Sequence, residues 1–385
     1  MTSIDANELI RIKRGAKLKA LFISDVHLGH PRTPTAHILS VLDDIFKEDK
    51  FFEELEFIGI SGDFFDLLLD FASPETILIR AWVAKFLRKC KKHGIVVRVL
   101  KGTSYHDWDQ PVIFIEENEN HDIGCDLKYI RKVSVEHIEK LNLDFLYVPD
   151  EANPTAQQTW EEVQECLREA NLTHVDYAMM HGAMKYHLVG IADVDHILHD
   201  PEHYLKITRH YINIGHIHQS SKHDRILTNG STDRLLHGDE GDKGHWRIVN
   251  GKAEFIVNHR AMRYKTIDVT GDDAAIVLQK VGEYLGSDTS RCSVRLRCEK
   301  KDIATEMFRR LTELFPYCRF EYISPKVVKK VEATVDLSKP ASRLPTLTEA
   351  NIVDELMKDM VKEYDDLEYD LERELAEKLL NAVTQ

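Results

Sequence analysis

Short apolar runs alternate with amphipathic stretches from residue 18 onward, and this alternation limits the possible folds more than any other feature of the chain. Runs of this kind suit buried strands, and the stretches at about 35–48 and 75–93 have the apolar spacing of helices. Gly94 is a suitable end for the second helix. We therefore expect an α/β fold with helical crossovers. The predicted strands are Ala20–Ser24, Phe57–Ser61, Ile95–Leu100, Phe145–Val148, Tyr177–Met180 and Tyr211–Ile214.

The later part of the chain predicts further units. Short strands at Trp246–Val249 and Ala253–Val257 suit an antiparallel edge that closes the first domain. Beyond it, the pattern is strand, helix, strand, helix, strand, which predicts a small α+β domain. Its elements are Lys265–Val269, Ala274–Tyr284, Ser293–Arg297, Ile303–Leu314 and Arg319–Ile323. The predicted domains are a catalytic domain at 1–260, an α+β domain at 261–335, a linker at 336–345 and a helical segment at 346–385.

The helical segment at 346–385 carries apolar residues at helical spacing among many acidic ones. Its apolar stripe needs a surface to cover. The chain's own domain and another protein are both open as that surface.

Charge and composition exclude several classes of protein. The formal net charge of −14 argues against a protein that holds nucleic acid by bulk electrostatics. No apolar run approaches the roughly 20 residues of a membrane span, and the first fifteen residues are too polar for a secretion signal. The six cysteines form no CxxC pair and predict reduced thiols. We expect a soluble cytoplasmic protein without a membrane partner.

Five clusters rich in Asp and His each follow an apolar run. Ligands of open α/β sheets gather beyond the carboxyl ends of the strands, and alternate residues of an extended D-x-H or H-x-H segment face the same way. Carboxylates and imidazoles hold divalent metals, and a carboxylate can bridge two of them. A single cluster would read as an ordinary histidine, but five in order predict a two-metal site. The clusters are Asp25–His27, Gly62–Asp66, Gly102–Asp107, His181–Gly182 and Gly215–His218.

The order of these motifs resembles the calcineurin-like metallophosphoesterase superfamily over about residues 18–260. The segments Ser24–Gly29, Asn229–Arg234 and Gly238–Gly244 are similar to SbcD-type nuclease subunits, and phage-like versions match best. The resemblance implies a metallophosphoesterase β-sandwich flanked by helices, a small α+β capping domain, and a C-terminal helical tail that binds an SbcC-type ABC ATPase with a coiled coil. It also implies a homodimer through helices near Lys85–Lys92, for which burial in the chain's own core is the alternative.

The resemblance also implies a role for each motif residue. One divalent metal ion, most consistent with Mn²⁺, is held by Asp25, His27, Asp63 and His218, and Asp63 bridges to a second ion on His181 and His216. The two ions activate water for in-line attack on phosphorus, as in other two-metal sites. His106 is expected to protonate the leaving sugar oxygen, with Asp107 orienting His106.

The third motif departs from the family pattern Gly-Asn-His-Asp, because this chain has Gly102-Thr-Ser-Tyr-His-Asp. Thr103 or Ser104 is then the candidate for the missing oxygen ligand. The triplet Asn120-His121-Asp122 reproduces the family motif further on and stays open as an alternative to His106.

Three charged residues near the motifs are candidate substrate contacts. Asp66 could equally cap a helix, while Arg234 and Lys243 could equally be ordinary surface charges.

These features are compatible with three functions. The first is a manganese-dependent DNA exonuclease or endonuclease of a DNA repair and recombination complex. The second is a phosphodiesterase or phosphatase for small nucleotides, which the additional segment 264–385 disfavours. The third is a scaffold subunit with a decayed metal site, which the six intact ligand positions disfavour.

Overall fold

The computed structural model describes residues 6–150, 152–188, 197–239, 241–287, 291–298 and 301–323. The chain divides into two compact units, Met1–Ala333 and Thr334–Gln385. The predicted linker and helical tail lie outside the described residues.

The described elements alternate between strands and helices, as predicted. The strands are β1 Ala20–Ile23, β2 Phe57–Ser61, β3 Val96–Leu100, β4 Leu127–Ile130, β5 Ser134–Ile138, β6 Leu143–Val148, β7 Tyr177–His181, β8 Ala183–Met184, β9 Leu198–His199, β10 Ile212–Gly215, β11 Ser221–His223, β12 Ile226–Thr228, β13 Gly244–Val249, β14 Lys252–Val257, β15 Arg263–Asp268, β16 Cys292–Arg297 and β17 Cys318–Ile323. The helices are α1 Ala6–Gly15, α2 Thr35–Ile45, α3 Lys50–Glu53, α4 Pro74–His93, α5 Ser104–Asp107, α6 Ile113–Asn120, α7 Ala156–Glu169, α8 Pro201–Ile207, α9 Ala274–Leu285 and α10 Lys301–Leu314, with short 3-10 turns at Gln110–Val112 and Lys185–Leu188.

Two six-stranded mixed sheets carry most of these strands, in the orders β14-β13-β1-β2-β3-β4 and β11-β12-β10-β7-β6-β5. Apolar side chains from both sheets share one buried cluster, in which the Phe57 ring stacks on Phe145 with ring centroids 4.5 Å apart. Successive residues of a strand face opposite ways. Phe22 therefore points into this shared core, while Leu21 and Ile23 face the helices on the other side of the first sheet.

Helices cover the outer face of each large sheet. Residues of α2, α4 and α6 pack on the first sheet, and residues of α7 and α8 pack on the second. Most of the apolar surface of both sheets is thereby buried. The α/β class is confirmed, and the polar ends of the strands remain as the place for a site.

Helix α4 shows how the sequence determines such an element. The Ser73 side chain caps its start by accepting a hydrogen bond from the Thr76 amide, Pro74 occupies the first turn, and Gly94 ends it in a left-handed conformation at φ 67°. Its apolar face, including Trp82 and Phe86, is buried in the chain's own core. Of the two alternatives for the helix at Lys85–Lys92, the structure shows burial of its apolar face in the chain's own core.

The segment from Arg263 to Ile323 forms a separate three-stranded sheet in the order β15-β16-β17, with a hydrophobic cluster that includes Val281 and Leu296. All three strands are parallel, so this unit alternates strands and helices as an α/β unit, whereas an α+β arrangement was expected. Polar groups connect this unit to the rest of the described fold, among them His237 with Ser293. The Tyr264 hydroxyl lies 2.9 Å from the Thr33 hydroxyl.

The prediction that all cysteines are reduced thiols differs from the structure. Cys292 and Cys318 are directly opposite in the parallel register of β16 and β17 and form a disulfide with a Cα–Cα distance of 4.8 Å. Cys90, Cys125, Cys166 and Cys298 are free. Among the described helices, none combines the length and apolar character needed to cross a membrane.

Candidate metal centre

The predicted Asp and His clusters come together beyond the carboxyl ends of β1, β2, β3, β7 and β10. Parallel strands in each sheet end at the same edge, so residues far apart in sequence meet there. Three groups of three residues are formed there, and within each group the potential ligand atoms lie within 4.8 Å of one another. The groups are Asp25, His27 and His218; Asp63, His181 and His216; and His27, Asp66 and His106.

The first group brings together the ends of β1 and β10. Nε2 of His27 lies 3.1 Å from Nε2 of His218, and the latter lies 3.8 Å from Oδ1 of Asp25. The Asp25 carboxylate accepts hydrogen bonds from the His216 amide at 3.0 and 3.1 Å and from the Ser24 hydroxyl. Three potential ligand atoms therefore converge from two sheets.

The second group contains the carboxylate that was predicted to bridge. Oδ2 of Asp63 lies 3.3 Å from Nε2 of His181. The other ring nitrogen of His181, Nδ1, donates a hydrogen bond to the Ser61 carbonyl at 2.6 Å. Such a backbone partner determines the tautomer of a ligating histidine. It leaves Nε2 directed at Asp63.

Four residues of these groups adopt positive φ angles, although none is glycine: Asp25 at 50°, His27 at 54°, Asp63 at 49° and His216 at 89°. Non-glycine residues in the left-handed region cost on the order of 1–3 kcal/mol each, and such strain gathers at functional sites. In each case the strained backbone brings a carboxylate or an imidazole to the same edge of the two large sheets.

Two glycines allow the loops to approach closely. A Cβ atom on Gly102 would lie 2.1 Å from the amide nitrogen of Asp63, and one on Gly62 would lie 2.2 Å from Nδ1 of His181. Gly62 also has φ +83°, which side chains rarely tolerate. The glycines of the motifs therefore serve the packing of the ligand residues.

His106 lies beside the first group. Its ring makes an edge contact with the His27 ring at 4.8 Å between centroids, and its Nδ1 donates to the Asp66 carbonyl at 2.8 Å. The alternative residue, His121, ends α6 at the surface and pairs with Glu117 at 3.1 Å. The structure thus brings His106, and not His121, to the clustered ligands.

Asp107 was expected to orient His106, but its carboxylate binds backbone amides instead. Its Oδ1 accepts hydrogen bonds from the amides of Phe64 and Phe65 at 2.9 and 3.1 Å, and its Oδ2 accepts one from Gly102 at 2.7 Å. Burial, and next the Asp63 carboxylate, raise the pKa of Asp107 to about 7. Asp107 instead connects the loops after β2 and β3, since backbone amides of both loops surround it.

Asp66 has the orienting role that was assigned to Asp107. Its carboxylate accepts a hydrogen bond from Nδ1 of His27 at 2.9 Å, while its carbonyl holds His106. One residue therefore positions two imidazoles.

The structure separates the two candidates for the missing oxygen ligand. Thr103 is buried, and its hydroxyl lies 3.2 Å from Oδ2 of Asp63, 3.4 Å from Nε2 of His181 and 3.5 Å from Nδ1 of His216. Ser104 is exposed at the start of α5. Thr103 is thus the one in contact with the second group.

The other candidate substrate contacts have structural partners. Lys243 is completely buried, and its ammonium group donates to the His218 carbonyl at 2.7 Å and pairs with Asp239 at 2.5 Å. Lys243 is therefore not an ordinary surface charge, because it is buried and holds the backbone of His218. Its role as a substrate contact stays a prediction. Nε of Arg234 donates to the Gly241 carbonyl at 3.2 Å.

A buried amide network beneath the site was not anticipated. Asn213 of β10 accepts a hydrogen bond from the Ser61 hydroxyl at 2.6 Å and exchanges two with Asn229, at 2.6 and 2.9 Å. This links β2, β10 and the loop after β12. The one available signal was a polar residue inside the apolar run Tyr211–Ile214.

The two buried carboxylates of the centre, Asp25 and Asp63, lack a Lys or Arg partner among the described residues. Asp25 and Asp63 are 0% and 2% exposed, and among the described residues neither accepts a hydrogen bond from Lys or Arg. Burial raises the pKa of Asp25. Burial would lower the pKa of His181, but the Asp63 carboxylate outweighs it and raises that pKa well above its usual value. Buried carboxylates of this kind pair with cations or coordinate metals. Asp and His groups are positioned to bind a metal ion.

Comparison with known proteins leaves the family unassigned. No family model and no curated protein matches the chain. Of the solved structures, TT1561 of Thermus thermophilus is 12% identical, with 63% of this chain and 99% of that chain covered at a TM-score of 0.36. A second is 10% identical, covering 62% and 98% at a TM-score of 0.37. PA4992 of Pseudomonas aeruginosa is also 10% identical, covering 79% and 83% at 0.16. Likenesses this low carry no argument about function.

Proposed function

We propose that this chain is the two-metal DNA nuclease subunit of an SbcC/SbcD-type DNA repair and recombination complex, hydrolysing phosphodiester bonds with two Mn²⁺ ions. One observation carries the proposal. Two carboxylate and imidazole groups are connected by hydrogen bonds from the His216 amide to Asp25 and from the His27 amide to the Asp63 carbonyl. Beside them lies the imidazole of His106, which belongs to neither of these two groups.

The residues present fit two divalent cations. Asp25, His27 and His218 would hold one, His181 and His216 the other, and Asp63 would lie between them. The buried carboxylates lack a Lys or Arg partner in the described chain, and the Nδ1 atoms of His27 and His181 are both occupied as donors. When bound, such a pair of cations activates water and stabilises charge on phosphate oxygens.

His106 is suited to act as the general acid. Its Nδ1 is held by the Asp66 carbonyl, so its Nε2 is the atom that can carry a proton to the leaving oxygen. The imidazole is part-exposed and can therefore meet a substrate. Asp66 would position His106 and His27, and Asp107 would position the loops after β2 and β3 through their backbone amides.

Charge supports a partner for the DNA interaction. A net charge of −14 gives little non-specific affinity for DNA, since that affinity comes from Lys and Arg neutralising phosphates. An SbcC-type ABC ATPase would bind the DNA, and residues 346–385 of this chain would bind the ATPase. A homodimer is part of the same proposal, through a surface other than the apolar face of α4, which is buried in the chain's own core. The site of action would be the cytoplasm.

The experiment uses metal-stripped full-length protein, linear duplex DNA, added Mn²⁺ and the partner ATPase. We expect Mn²⁺-dependent cleavage that is lost in Asp63→Asn and reduced by a factor of about 10² to 10⁴ in His106→Ala, the usual range for a general acid. His121→Ala is the matched control because this histidine is exposed, pairs with Glu117 and belongs to none of the three ligand groups. Intact DNA with wild-type protein, or equal rates for His106→Ala and His121→Ala, would reject the proposal.

Deleting residues 346–385 distinguishes DNA cleavage from small-nucleotide turnover. Partner-dependent cleavage should disappear. Retained turnover of a small phosphodiester by the same deletion protein would show that the metal centre is intact.

A further inference from the structure

Two large aromatic side chains flank His106 and are exposed. Tyr105 is 58% exposed and Trp108 is 53% exposed. Both belong to the short segment around α5 that replaces the expected third motif. Large apolar side chains on a surface are informative when they gather beside a site.

The backbone of this segment holds the rings outward. Trp108 ends α5 in the left-handed region at φ 46°, and Asp109 follows at 60°. The Tyr105 ring lies 4.5 Å from the His106 ring. Because the chain is strained at Trp108, this orientation is one that the structure maintains at a cost.

The neighbouring loop extends the same surface. Gln110 accepts a hydrogen bond from the Leu69 amide at 2.9 Å and donates one to the Leu67 carbonyl at 2.9 Å. Leu67 and Leu68 are 38% and 59% exposed. The Gln110 hydrogen bonds to Leu67 and Leu69, and the hydrogen bond from His106 to the Asp66 carbonyl, hold the two loops together. Both loops carry exposed apolar side chains, which are close in the chain to His106 on one loop and to Asp66 on the other. We define the aromatic rim by Leu67, Leu68, Tyr105 and Trp108.

We propose that the aromatic rim is a stacking site for unpaired nucleobases next to the scissile phosphate. This inference rests on the proposed function and specifies its substrate, a single strand or an unpaired end. Aromatic rings stack on the faces of bases irrespective of sequence. Bases inside a duplex have their faces covered, so the site favours unpaired ones.

Charge favours this occupant over a purely electrostatic contact. A chain of net charge −14 gains little from phosphate neutralisation, whereas stacking does not depend on protein charge. Tyr and Trp side chains also lose little conformational entropy on binding, because each has only two rotatable bonds. Continuity with His106 places a stacked base beside the reacting phosphate.

The test is binding of oligothymidylate to metal-free, full-length protein in a chelator, so that no hydrolysis occurs. Tryptophan emission and anisotropy of a labelled oligomer are both measured. We expect quenching in the wild-type protein, no such quenching in Trp108→Phe, and retained affinity in Trp108→Phe and Tyr105→Phe. Trp108→Leu and Tyr105→Leu should each weaken binding at least about fivefold, as expected for the loss of one stacked base.

Each Phe variant is the matched control for its Leu variant, because both substitutions keep the same backbone strain. An abasic deoxyribose phosphate oligomer of equal length controls for charge and should bind weakly without quenching. Equal affinity for the abasic oligomer or for a blunt duplex, or unchanged affinity in both Leu variants, overturns the inference. So does a Trp108 that acrylamide cannot quench, since another protein surface would then cover the rim.

A parallel assay separates this inference from the proposed function. Wild-type protein with Mn²⁺ is given bis(p-nitrophenyl) phosphate. Turnover without base-dependent quenching would overturn the stacking site alone. Quenching without any metal-dependent turnover would overturn the nuclease and leave a nucleic-acid-binding surface.

Discussion

Thr103 donates two hydrogen bonds to the Asp63 carboxylate, from its amide at 2.6 Å and from its hydroxyl at 3.2 Å. The same hydroxyl lies 3.4 Å from Nε2 of His181. The Thr103 hydroxyl therefore contacts two members of the second ligand group, Asp63 and His181.

Thr103→Val tests this contact, because valine keeps the shape and removes the hydroxyl. Loss of a group that orients metal ligands costs about 10- to 100-fold in metal affinity, so we expect the weaker of two Mn²⁺ binding steps to weaken by that factor in calorimetric titration. Ser104→Ala is the control, since Ser104 is exposed. Identical titrations for Thr103→Val and wild type would remove Thr103 from the site.

Asp66→Ala tests the orientation of His27. Without the carboxylate, Nδ1 of His27 loses its 2.9 Å partner and the ring can turn. We expect an about 10- to 100-fold weaker first Mn²⁺ step and little change at the Asp63, His181 and His216 group. Glu139→Ala, which removes an exposed carboxylate, controls for net charge. Equal weakening in both variants would indicate a charge effect only.

Lys243→Met tests the buried anchor of the His218 loop. The substitution leaves the Asp239 carboxylate without its cation, and the His218 carbonyl keeps the Ser231 amide at 3.1 Å as its donor. Breaking a buried pair on one side costs roughly 3–5 kcal/mol, which denaturant unfolding can measure. Lys85→Met removes an exposed ion pair to Asp43 and should cost at most about 1 kcal/mol. Similar costs for the two variants would contradict the assigned anchor.

Because His245 is buried, we expect the free energy of unfolding to fall in acid. Burial, and next Arg247, lower the pKa of His245 from 6.5 to about 3. The unfolded chain therefore takes up this proton first. The contribution is fully present above pH 6.5 and is lost as the pH falls toward 3, at about 1.4 kcal/mol per pH unit. In His245→Leu, the free energy of unfolding should fall less steeply between pH 6.5 and 4.5 by about one proton's slope. Parallel pH profiles would show that His245 does not titrate on unfolding.

Much of the fold follows from local patterns. Strands β1, β2, β3, β7 and β10 are buried apolar runs, and their carboxyl ends had to carry the polar clusters. Strands β4 and β5 were missed because each mixes exposed polar residues with part-buried ones, as the ends of sheets allow.

Other features depend on tertiary contacts that a sequence does not reveal. The partners of Asp107 are backbone amides of another loop. Because every residue type except proline has such an amide, no sequence motif predicts these partners. The pairing of Cys292 with Cys318 requires the parallel register of two strands. Only the folded chain places Thr103 inward and Ser104 outward.

The most direct test of the central claim is anomalous diffraction from crystals of the full chain soaked in Mn²⁺. We expect two peaks, one among Asp25, His27 and His218 and one among His181 and His216, with Asp63 between them. A single peak would contradict the two-metal mechanism. No peak at these residues would contradict the metal centre itself.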